Sequence, residues 1–172
     1  SQTDLNKLQG KRVVMVGDSM RKELAAIGNG FMGQDVAALT VLTRSEDSAR
    51  ELQHAIDATD SVAFDVRCVG DDIEEALDHI LREEGGFDVV VSSPFERLPL
   101  NALAGERHKS WDRVLSDQQF RDLVHDQLTH HFRVARISAL VPNCQIVLLT
   151  PDTSLASTRE EFALALFVKN SL

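Results

Sequence analysis

The sequence predicts an α/β fold that is built on a doubly wound parallel sheet. Short apolar runs and amphipathic segments alternate five times along the 172 residues. Such alternation requires parallel strands joined by right-handed helical crossovers, with helices on both faces of the sheet. Ligands of these sheets bind beyond the carboxyl ends of the strands, so we expect any functional site at the turns that follow the apolar runs.

Three strands are predicted in the first half of the chain, each as an apolar or alternating run that ends in polar turn residues. They comprise Arg12 to Gly17, Ala37 to Thr43 and Ser61 to Val69. The helix after the first strand, Met20 to Phe31, contains Gly28 and Gly30, and each glycine costs a helix up to about 1 kcal/mol relative to alanine. We therefore expect this helix to be short or irregular at its end.

The next two helices have clear starting signals. Ser45, followed by Glu46 and Asp47, is a good capping residue for the helix after the second strand. Asp71-Asp72 opens a helix whose apolar residues share one face, and Gly85-Gly86 ends it. That face comprises Ile73, Ala76, Leu77, Ile80 and Leu81. The fully apolar run Phe87 to Val91 predicts a fourth strand, and the chain from there to Ser116 has the composition of a loop.

The second half of the chain is predicted to add a long helix, a strand and a final helix. The long helix runs from Asp117 to about Leu140, and Gln127 and His131 fall on its apolar stripe. Polar groups on a buried stripe need partners, and we expect these two side chains to pair. The run Gln145 to Leu149 is almost wholly apolar, which predicts a strand buried on both faces at the centre of the sheet. The last helix spans Ser157 to Asn170.

Length, charge and cysteine content restrict the class of protein. At 172 residues and a net charge of -9, we expect one cytoplasmic domain, residues 1–172, that binds neither nucleic acid nor a membrane. No run approaches the roughly 20 apolar residues of a membrane span, and polar Ser1 to Lys7 is unlike a secretory signal. Cys68 and Cys144 are predicted to be reduced, buried thiols. Because Leu172 follows the last helix directly, we expect a fragment of a longer domain, truncated after the helix that follows strand five.

The turn Gly17-Asp18-Ser19 after the first strand is the main candidate site, and three interpretations stay open. It can be a degenerate phosphate loop, with Gly17, Asp18, Ser19 and, after the second strand, Arg44 as cofactor-binding residues. An intact glycine fingerprint is absent, however, and an aspartate repels a diphosphate. The turn also resembles the nucleophile block of GDSL-type ester hydrolases, with Ser19 activated by the Asp-x-x-His sequence that ends at His125. It can also be a plain helix cap.

A metal site is not predicted. His125, His130 and His131 lie at i, i+5 and i+6, whereas two ligands on one helix face need a spacing of four residues. Lys169 lies on the otherwise apolar stripe of the last helix, where a lysine either extends to solvent or has a functional role.

These residues together resemble a short-chain dehydrogenase/reductase, which implies a Rossmann-like fold. The resemblance rests on the order of elements, on Lys169 after the fifth strand, on Gln127, and on Thr150 or Thr153 at the strand's end. That family uses Asn, Ser, Tyr and Lys in catalysis, with the Tyr four residues before the Lys. Ala165 stands at that position and the chain contains no tyrosine, so no catalytic residue is assigned.

A closer resemblance, from about Phe87 to Leu172, is to the large bifunctional malonyl-CoA reductases. It is carried by Leu98-Pro99, Leu103 to Arg107, Trp111, Val114 to Ser116, Gln127 to Arg136, Leu149 to Thr153 and Glu161 to Lys169. The resemblance implies a domain of the half that reduces malonyl-CoA to malonate semialdehyde with NADPH, on the way to 3-hydroxypropionate. It also implies other reductase domains of the same polypeptide as partners, a homodimeric parent, and a CoA thioester as the parent's substrate.

We therefore expect a non-catalytic structural or interaction domain that binds no NADPH itself. The helices Phe120 to Leu140 and Ser157 to Asn170 are the surface at which a partner domain is expected. The alternative is an NADPH-binding carbonyl reductase with a divergent site, in which Lys169 and a threonine act and Arg44 selects the 2′-phosphate. An ester hydrolase that uses Ser19 is the third hypothesis.

Overall fold

The computed structural model describes residues 7–95 and 117–150, and strands alternate with helices in both ranges. The first range contains β1 (Arg12–Val16), α1 (Arg21–Met32), β2 (Ala38–Thr43), α2 (Glu46–Ala55), β3 (Ala63–Cys68), α3 (Ile73–Glu83) and β4 (Val89–Ser92). The second contains α4 (Asp117–Val124), a π-helical turn (His125–Thr129), α5 (His130–Ser138) and β5 (Gln145–Leu148). The predicted α/β fold is confirmed.

The described strands are all parallel and form one sheet in the order β3-β2-β1-β4-β5. Val14 in the middle of β1 pairs with Thr40 of β2 on one side and with Val90 of β4 on the other. The chain therefore winds from β1 to β3 in one direction and continues from β4 to β5 in the other. The direction reverses between β1 and β4, and the crevice at their carboxyl ends is where sheets of this kind bind ligands.

An apolar layer covers each face of the sheet. The layer beneath α1 and α2 contains Met15, Leu24, Leu39, Val41 and Leu52. The layer beneath α3 and α5 contains Val14, Val16, Leu42, Leu77 and Val134. Alternate residues of β1 and β2 thus point into opposite layers, as the two-residue period of a strand requires. This two-sided burial explains why these strands are apolar throughout.

The predicted helix starts are confirmed, but the prediction that α1 is short or irregular is wrong. Ser45 caps α2, since its Oγ accepts a hydrogen bond from the N–H of Ser48 at 3.2 Å. α1 continues for 12 residues, through Gly28, to Met32. A Cβ at Gly28 would lie 2.7 Å from Cδ1 of Ile56. The glycine therefore allows α1 to lie close to the end of α2, and this packing offsets its low helix propensity.

β5 lies at the edge of the five described strands, so its predicted place at the centre of the sheet is wrong. β1 is the central strand. β5 pairs with β4 along its length, and Gln145, Ile146 and Val147 are exposed. Its apolar composition predicted burial on both faces, but composition carries no information about how many strands flank a run.

The long helix predicted from Asp117 extends to Ser138, with one π-helical turn between α4 and α5. Gln127 and His131 are both buried, as predicted. The ring nitrogens of His131 bond to Ser92 and to the carbonyl oxygen of Leu149. The expected pairing with Gln127 is therefore replaced by contacts with the sheet.

Several predictions concern residues outside the described ranges. These are the loop up to Ser116, Thr153 after the fifth strand, and the final helix Ser157 to Asn170 with Ala165 and Lys169. Within the described ranges, no helix has both the length and the apolar character needed to cross a membrane. Cys68 and Cys144 are free thiols, as predicted, but both are half-buried rather than fully buried.

Candidate cofactor crevice

The four predicted site residues meet at the carboxyl ends of β1 and β2. Gly17, Asp18 and Ser19 form the turn from β1 to α1, and Arg44 follows β2. Because β1 lies between β2 and β4, the turn also faces the segment Ser93 to Phe95 after β4. The fold therefore brings all four residues to the point where the winding direction of the sheet reverses.

Gly17 is required by the close approach of two turns. Its φ is 141°, a conformation that favours glycine. A Cβ at this position would lie 2.0 Å from Oγ and 2.4 Å from the carbonyl oxygen of Ser93. The missing side chain at Gly17 thus allows the turn after β1 to contact the segment after β4.

Three hydrogen bonds close the crevice between β1 and β4. The N–H and the Oγ of Ser19 both donate to the carbonyl oxygen of Pro94, at 3.0 and 2.6 Å. Oγ of Ser93 donates to the carbonyl oxygen of Ser19 at 3.2 Å. Ser19 and Ser93 are both buried. We refer to these contacts among Ser19, Ser93 and Pro94 as the crevice seal.

Asp18 and Ser19 do not cap α1, so the helix-cap interpretation is wrong. α1 begins after Met20, which adopts a left-handed conformation with φ 59° and makes no capping hydrogen bond through its side chain. The Ser19 hydroxyl donates across the crevice instead, and the Asp18 carboxylate accepts from the turn after β2. Both side chains are therefore used to join neighbouring strand ends.

Asp18 is bound to the turn that leads from β2 into α2. Its Oδ1 accepts a hydrogen bond from the backbone N–H of Arg44 at 2.7 Å, and only 8% of the residue is exposed. Burial raises the pKa of the Asp18 carboxyl above its ordinary value, while hydrogen bonds with Arg44 and Ser45 act in the opposite direction. The carboxylate thus takes up backbone donors that a bound anion could otherwise use.

Arg44 is half-buried and lies among acidic side chains. Its Nη1 is 3.5 Å from Oδ1 of Asp126 and 3.7 Å from Oδ1 of Asp71, and its guanidinium lies 5.0 Å from the centre of the Phe95 ring. A cavity of about 250 Å³ adjoins it. The acidic side chains that line this cavity are Asp71, Asp72, Glu74, Glu75 and Asp126. This excess of carboxylates over Arg44 and Arg133 disfavours a phosphate group.

Ser92 at the end of β4 connects two consecutive histidines. Its Oγ lies 2.7 Å from Nδ1 of His131 and 3.1 Å from Nε2 of His130. Nε2 of His131 lies 3.1 Å from the carbonyl oxygen of Leu149, which can only accept. Nε2 of His131 therefore carries the ring proton, Ser92 donates to Nδ1 of His131, and Nε2 of His130 donates to Ser92.

Both histidines are held in the neutral form. Burial and, to a smaller extent, the neighbouring His131 lower the pKa of His130 to about 3. Burial also lowers the pKa of His131. Because Ser92 and Leu149 bond to these rings, the two histidines attach α5 to the sheet.

Sequence reasoning missed Ser92, Ser93, Phe95 and Asp126 as parts of this edge. The first three had a usable signal, since they follow a predicted strand and the carboxyl ends of parallel strands meet. Asp126 had none, because it lies 82 residues from Arg44 in a helix whose π-helical turn the sequence did not indicate.

Solved structures relate this geometry to known proteins. The chain matches, over its whole length, part of the C-domain with NADP of a bacterial malonyl-CoA reductase, with 31% sequence identity and a TM-score of 0.85. The chain has a short-chain dehydrogenase/reductase-type fold and is similar to part of this malonyl-CoA reductase C-domain. It spans 25% of that C-domain chain.

Solved oxidoreductases of lower identity share the fold. A double mutant of the short-chain dehydrogenase/reductase from Serratia marcescens matches 95% of the chain with 16% identity and a TM-score of 0.66, and the match covers 64% of that protein. An NADH-dependent reductase complexed with NAD matches 97% of the chain with 11% identity and a TM-score of 0.60, over 72% of its own length. A scan against protein-family models and a search of curated proteins found no match.

The residues of this short-chain dehydrogenase/reductase-like domain do not fit the diphosphate of a dinucleotide. Such a diphosphate needs a glycine-rich turn with free N–H groups at the start of the first helix. Here the turn carries the Asp18 carboxylate, and the N–H of Ser19 bonds to Pro94.

The geometry also gives no support to the ester hydrolase. The hydroxyl proton of Ser19 is donated to the carbonyl oxygen of Pro94. Asp122 accepts a hydrogen bond from Gln118 of its own helix at 2.9 Å, and His125 is exposed. None of these contacts activates Ser19.

Proposed function

We propose that the chain is a non-catalytic structural and interaction domain of an NADPH-dependent malonyl-CoA reductase. The parent enzyme would reduce malonyl-CoA to malonate semialdehyde, on the way to 3-hydroxypropionate, and NADPH and the CoA thioester would bind to its other domains. Similarity to a quarter of a malonyl-CoA reductase C-domain supports this assignment. The proposal includes a cytoplasmic location, which the free thiols of Cys68 and Cys144 support.

The crevice seal is the observation that carries the proposal. A dinucleotide that entered between β1 and β4 would have to separate Ser19 from Pro94 and Ser93 from Ser19, and all three hydrogen bonds are buried or nearly so. Each buried polar group left without its partner costs about 1–3 kcal/mol. The diphosphate would also approach the Asp18 carboxylate, which repels it.

The tyrosine that donates the proton in short-chain dehydrogenases/reductases is absent from the sequence as well. The chain contains no tyrosine, and Ala165 stands four residues before Lys169. Loss of a general acid or base typically lowers a rate by roughly 10²- to 10⁴-fold. His130 and His131 lie near the crevice, but their hydrogen bonds to Ser92 leave them unsuited to replace it.

Exposed apolar side chains support the interaction role. Among the described residues, the large apolar side chains that are exposed lie between residues 132 and 147, namely Phe132, Leu140, Ile146 and Val147. Phe132 is 62% exposed and Leu140 is 67% exposed. Exposed large apolar side chains of this kind are candidates for contact with another protein. We propose that this apolar surface packs against another reductase domain of the same polypeptide in a homodimeric parent.

Two measurements on the full chain test this function. Calorimetric titration with NADPH into the millimolar range should detect no saturable binding. Sedimentation velocity should show self-association that depends on concentration, because the apolar surface is uncovered in the isolated chain. The double variant Phe132→Ser, Leu140→Ser should reduce the association, and Ala55→Ser on the exposed side of α2 should not. Saturable NADPH binding, or a monomer at all concentrations, would contradict the proposal.

The second candidate is an NADPH-binding carbonyl reductase, and the position of Arg44 favours it. Arg44 follows β2 and borders a cavity of about 250 Å³, and a basic residue after the second strand selects the 2′-phosphate in dinucleotide folds. This candidate predicts that NADPH binds more tightly than NADH and that Arg44→Ala abolishes the difference. Titrations that show no saturation with either NADPH or NADH would exclude the carbonyl reductase.

A further inference from the structure

We propose that Asp18 is an internal anion that takes the place of a nucleotide phosphate at the end of β2 and so keeps the crevice closed to nucleotides. This role of Asp18 rests on the proposed function, because it supplies a reason why the wild-type chain does not bind NADPH. Asp18 joins the turns that follow β1 and β2, whereas the crevice seal joins the turns that follow β1 and β4.

The donors that Asp18 occupies lie immediately before the start of a helix and at its N-cap. α2 begins at Glu46 after Ser45, and the N-terminus of a helix attracts anions through its backbone N–H groups and its dipole. Oδ1 of Asp18 accepts from the N–H of Arg44 at 2.7 Å, and the carboxylate also forms hydrogen bonds with Ser45. A buried carboxylate is tolerated where its oxygens are bonded in this way.

The guanidinium of Arg44 is also neutralised from within the chain. Asp126 and Asp71 lie 3.5 and 3.7 Å from its Nη1. Backbone N–H groups and guanidinium groups are the two donors by which proteins commonly hold a phosphate monoester, and here both face carboxylates of the same chain. The side chain of Asp71 is 86% exposed, so an incoming anion displaces it at little cost. The side chain of Asp126 is 21% exposed and stays beside Arg44 in every variant, so Asp18 is the carboxylate that controls the backbone donors.

Three variants separate the role of Asp18 from a general effect of charge. Asp18→Gly removes the negative charge and the accepting oxygens together, which leaves the N–H of Arg44 open to a ligand. Asp18→Asn removes the charge but keeps the shape and one accepting oxygen. Asp71→Asn removes the same charge at the same edge of the sheet without opening the backbone donors, and it is the matched control.

The probes are adenosine 2′-monophosphate, adenosine 5′-monophosphate and NADPH, each titrated by calorimetry and in thermal unfolding. We expect Asp18→Gly to bind adenosine 2′-monophosphate at least about tenfold more tightly than the wild-type chain does, since hydrogen bonds to a charged group become available. The 5′-monophosphate should bind more weakly, and ligand should raise the unfolding temperature of the variant. Asp71→Asn should change the affinity less than about threefold.

An Asp18→Gly chain with no gain in affinity overturns the inference, and so does an equal gain in Asp71→Asn. Should Asp18→Gly fail to fold, Asp18→Asn permits the same comparison, and a ligand-induced rise of its unfolding temperature beyond that of the wild type supports the inference. The NADPH titration of the wild-type chain tests the proposed function and not the role of Asp18. NADPH binding by the wild type contradicts the proposed function. If neither the wild type nor the Asp18 variants bind any of the ligands, only the role given to Asp18 is contradicted.

Discussion

Residues 7–95 and residues 117–150 bury their side chains in different ways. In the first region, four strands and three helices enclose apolar layers, and nearly the whole described core belongs to it. The second region contributes Val134 to that core, yet the exposed large apolar side chains of the described residues all belong to it. The first region covers its own apolar surface, and the second leaves part of its apolar surface to solvent.

The second region is attached to the first by polar contacts, by the packing of Val134 and Ile137, and by the pairing of β5 with β4. His130 and His131 bond to Ser92, and Arg136 bonds to Glu74. Buried polar contacts fix an orientation but contribute modest net stability, about 0.5–1.5 kcal/mol for a typical hydrogen bond. The first region therefore encloses most of the described core, and we propose the second as the part that contacts another domain.

The largest expected effect comes from a matched pair of leucines. Leu52 on α2 is fully buried, so Leu52→Ala should lower the free energy of unfolding by about 2–5 kcal/mol. Leu140 is 67% exposed, so Leu140→Ala should change it by less than about 0.5 kcal/mol. Urea unfolding followed by circular dichroism measures both. Equal losses would mean that residue 140 is buried in solution and that the two regions do not differ.

A matched pair of glycines tests whether the crevice seal belongs to the scaffold. Gly17→Ala combines an unfavourable φ of 141° with a contact of 2.0 Å to Oγ of Ser93, and should cost about 2–4 kcal/mol in unfolding free energy. Gly30 lies on the exposed side of α1 with no atom within 4 Å of an added Cβ, so Gly30→Ala should stabilise the chain by about 0.5–1 kcal/mol. A tolerated Gly17→Ala would show that the turns can separate.

The sequence predicted the scaffold better than the second region for a physical reason. Local signals such as the Ser45 cap and the apolar runs depend on residues that are near in sequence, and these predictions are confirmed. The position of β5 at the edge of the described sheet depends on which strands flank it, which composition does not encode. Composition also does not encode the hydrogen-bond partner of Asp18, because Arg44 lies 26 residues away in the sequence.

The four candidate site residues lie together at one edge of the sheet, but their position alone does not decide their roles. The carboxyl ends of parallel strands meet at one edge of a sheet, and this rule predicts that the turns after β1 and β2 lie close together. These turns contain Gly17, Asp18, Ser19 and Arg44. Whether such a turn binds a ligand or the chain itself depends on contacts with Pro94, which no local pattern indicates. Their assignment to cofactor binding stays a prediction that titration decides.

Acid should weaken the attachment of the second region. Burial lowers the pKa of His130 from 6.5 to about 3, so between these pH values the unfolded chain binds a proton that the folded chain does not. The free energy of unfolding should therefore fall as the pH decreases from about 6.5, by up to about 1.4 kcal/mol per pH unit. His131 shifts in the same direction.

Urea unfolding at pH 7.5 and 5.5 measures this loss. His130→Gln, which keeps a donor near Ser92 but cannot be protonated in this range, should show a smaller difference between the two pH values. His54 is exposed, and His54→Gln should leave the difference unchanged. A His130→Gln chain that loses as much stability in acid as the wild type would assign the pH dependence to other groups.

The smallest effect is expected for the ion pair between α3 of the first region and α5 of the second. Nε of Arg136 lies 3.0 Å from Oε1 of Glu74, but the side chains are 58% and 36% exposed, and exposed pairs contribute about 0–1 kcal/mol. A double-mutant cycle of Glu74→Gln and Arg136→Gln should give a coupling energy below about 1 kcal/mol. The cycle cancels the loss of the contact between Arg136 and Phe132, because that contact is lost in both variants that lack Arg136. A coupling above about 2 kcal/mol would mean that a surface bond fixes α5 to the scaffold. With a small coupling, α5 is held to the first region by Val134 and by the Ser92 contacts.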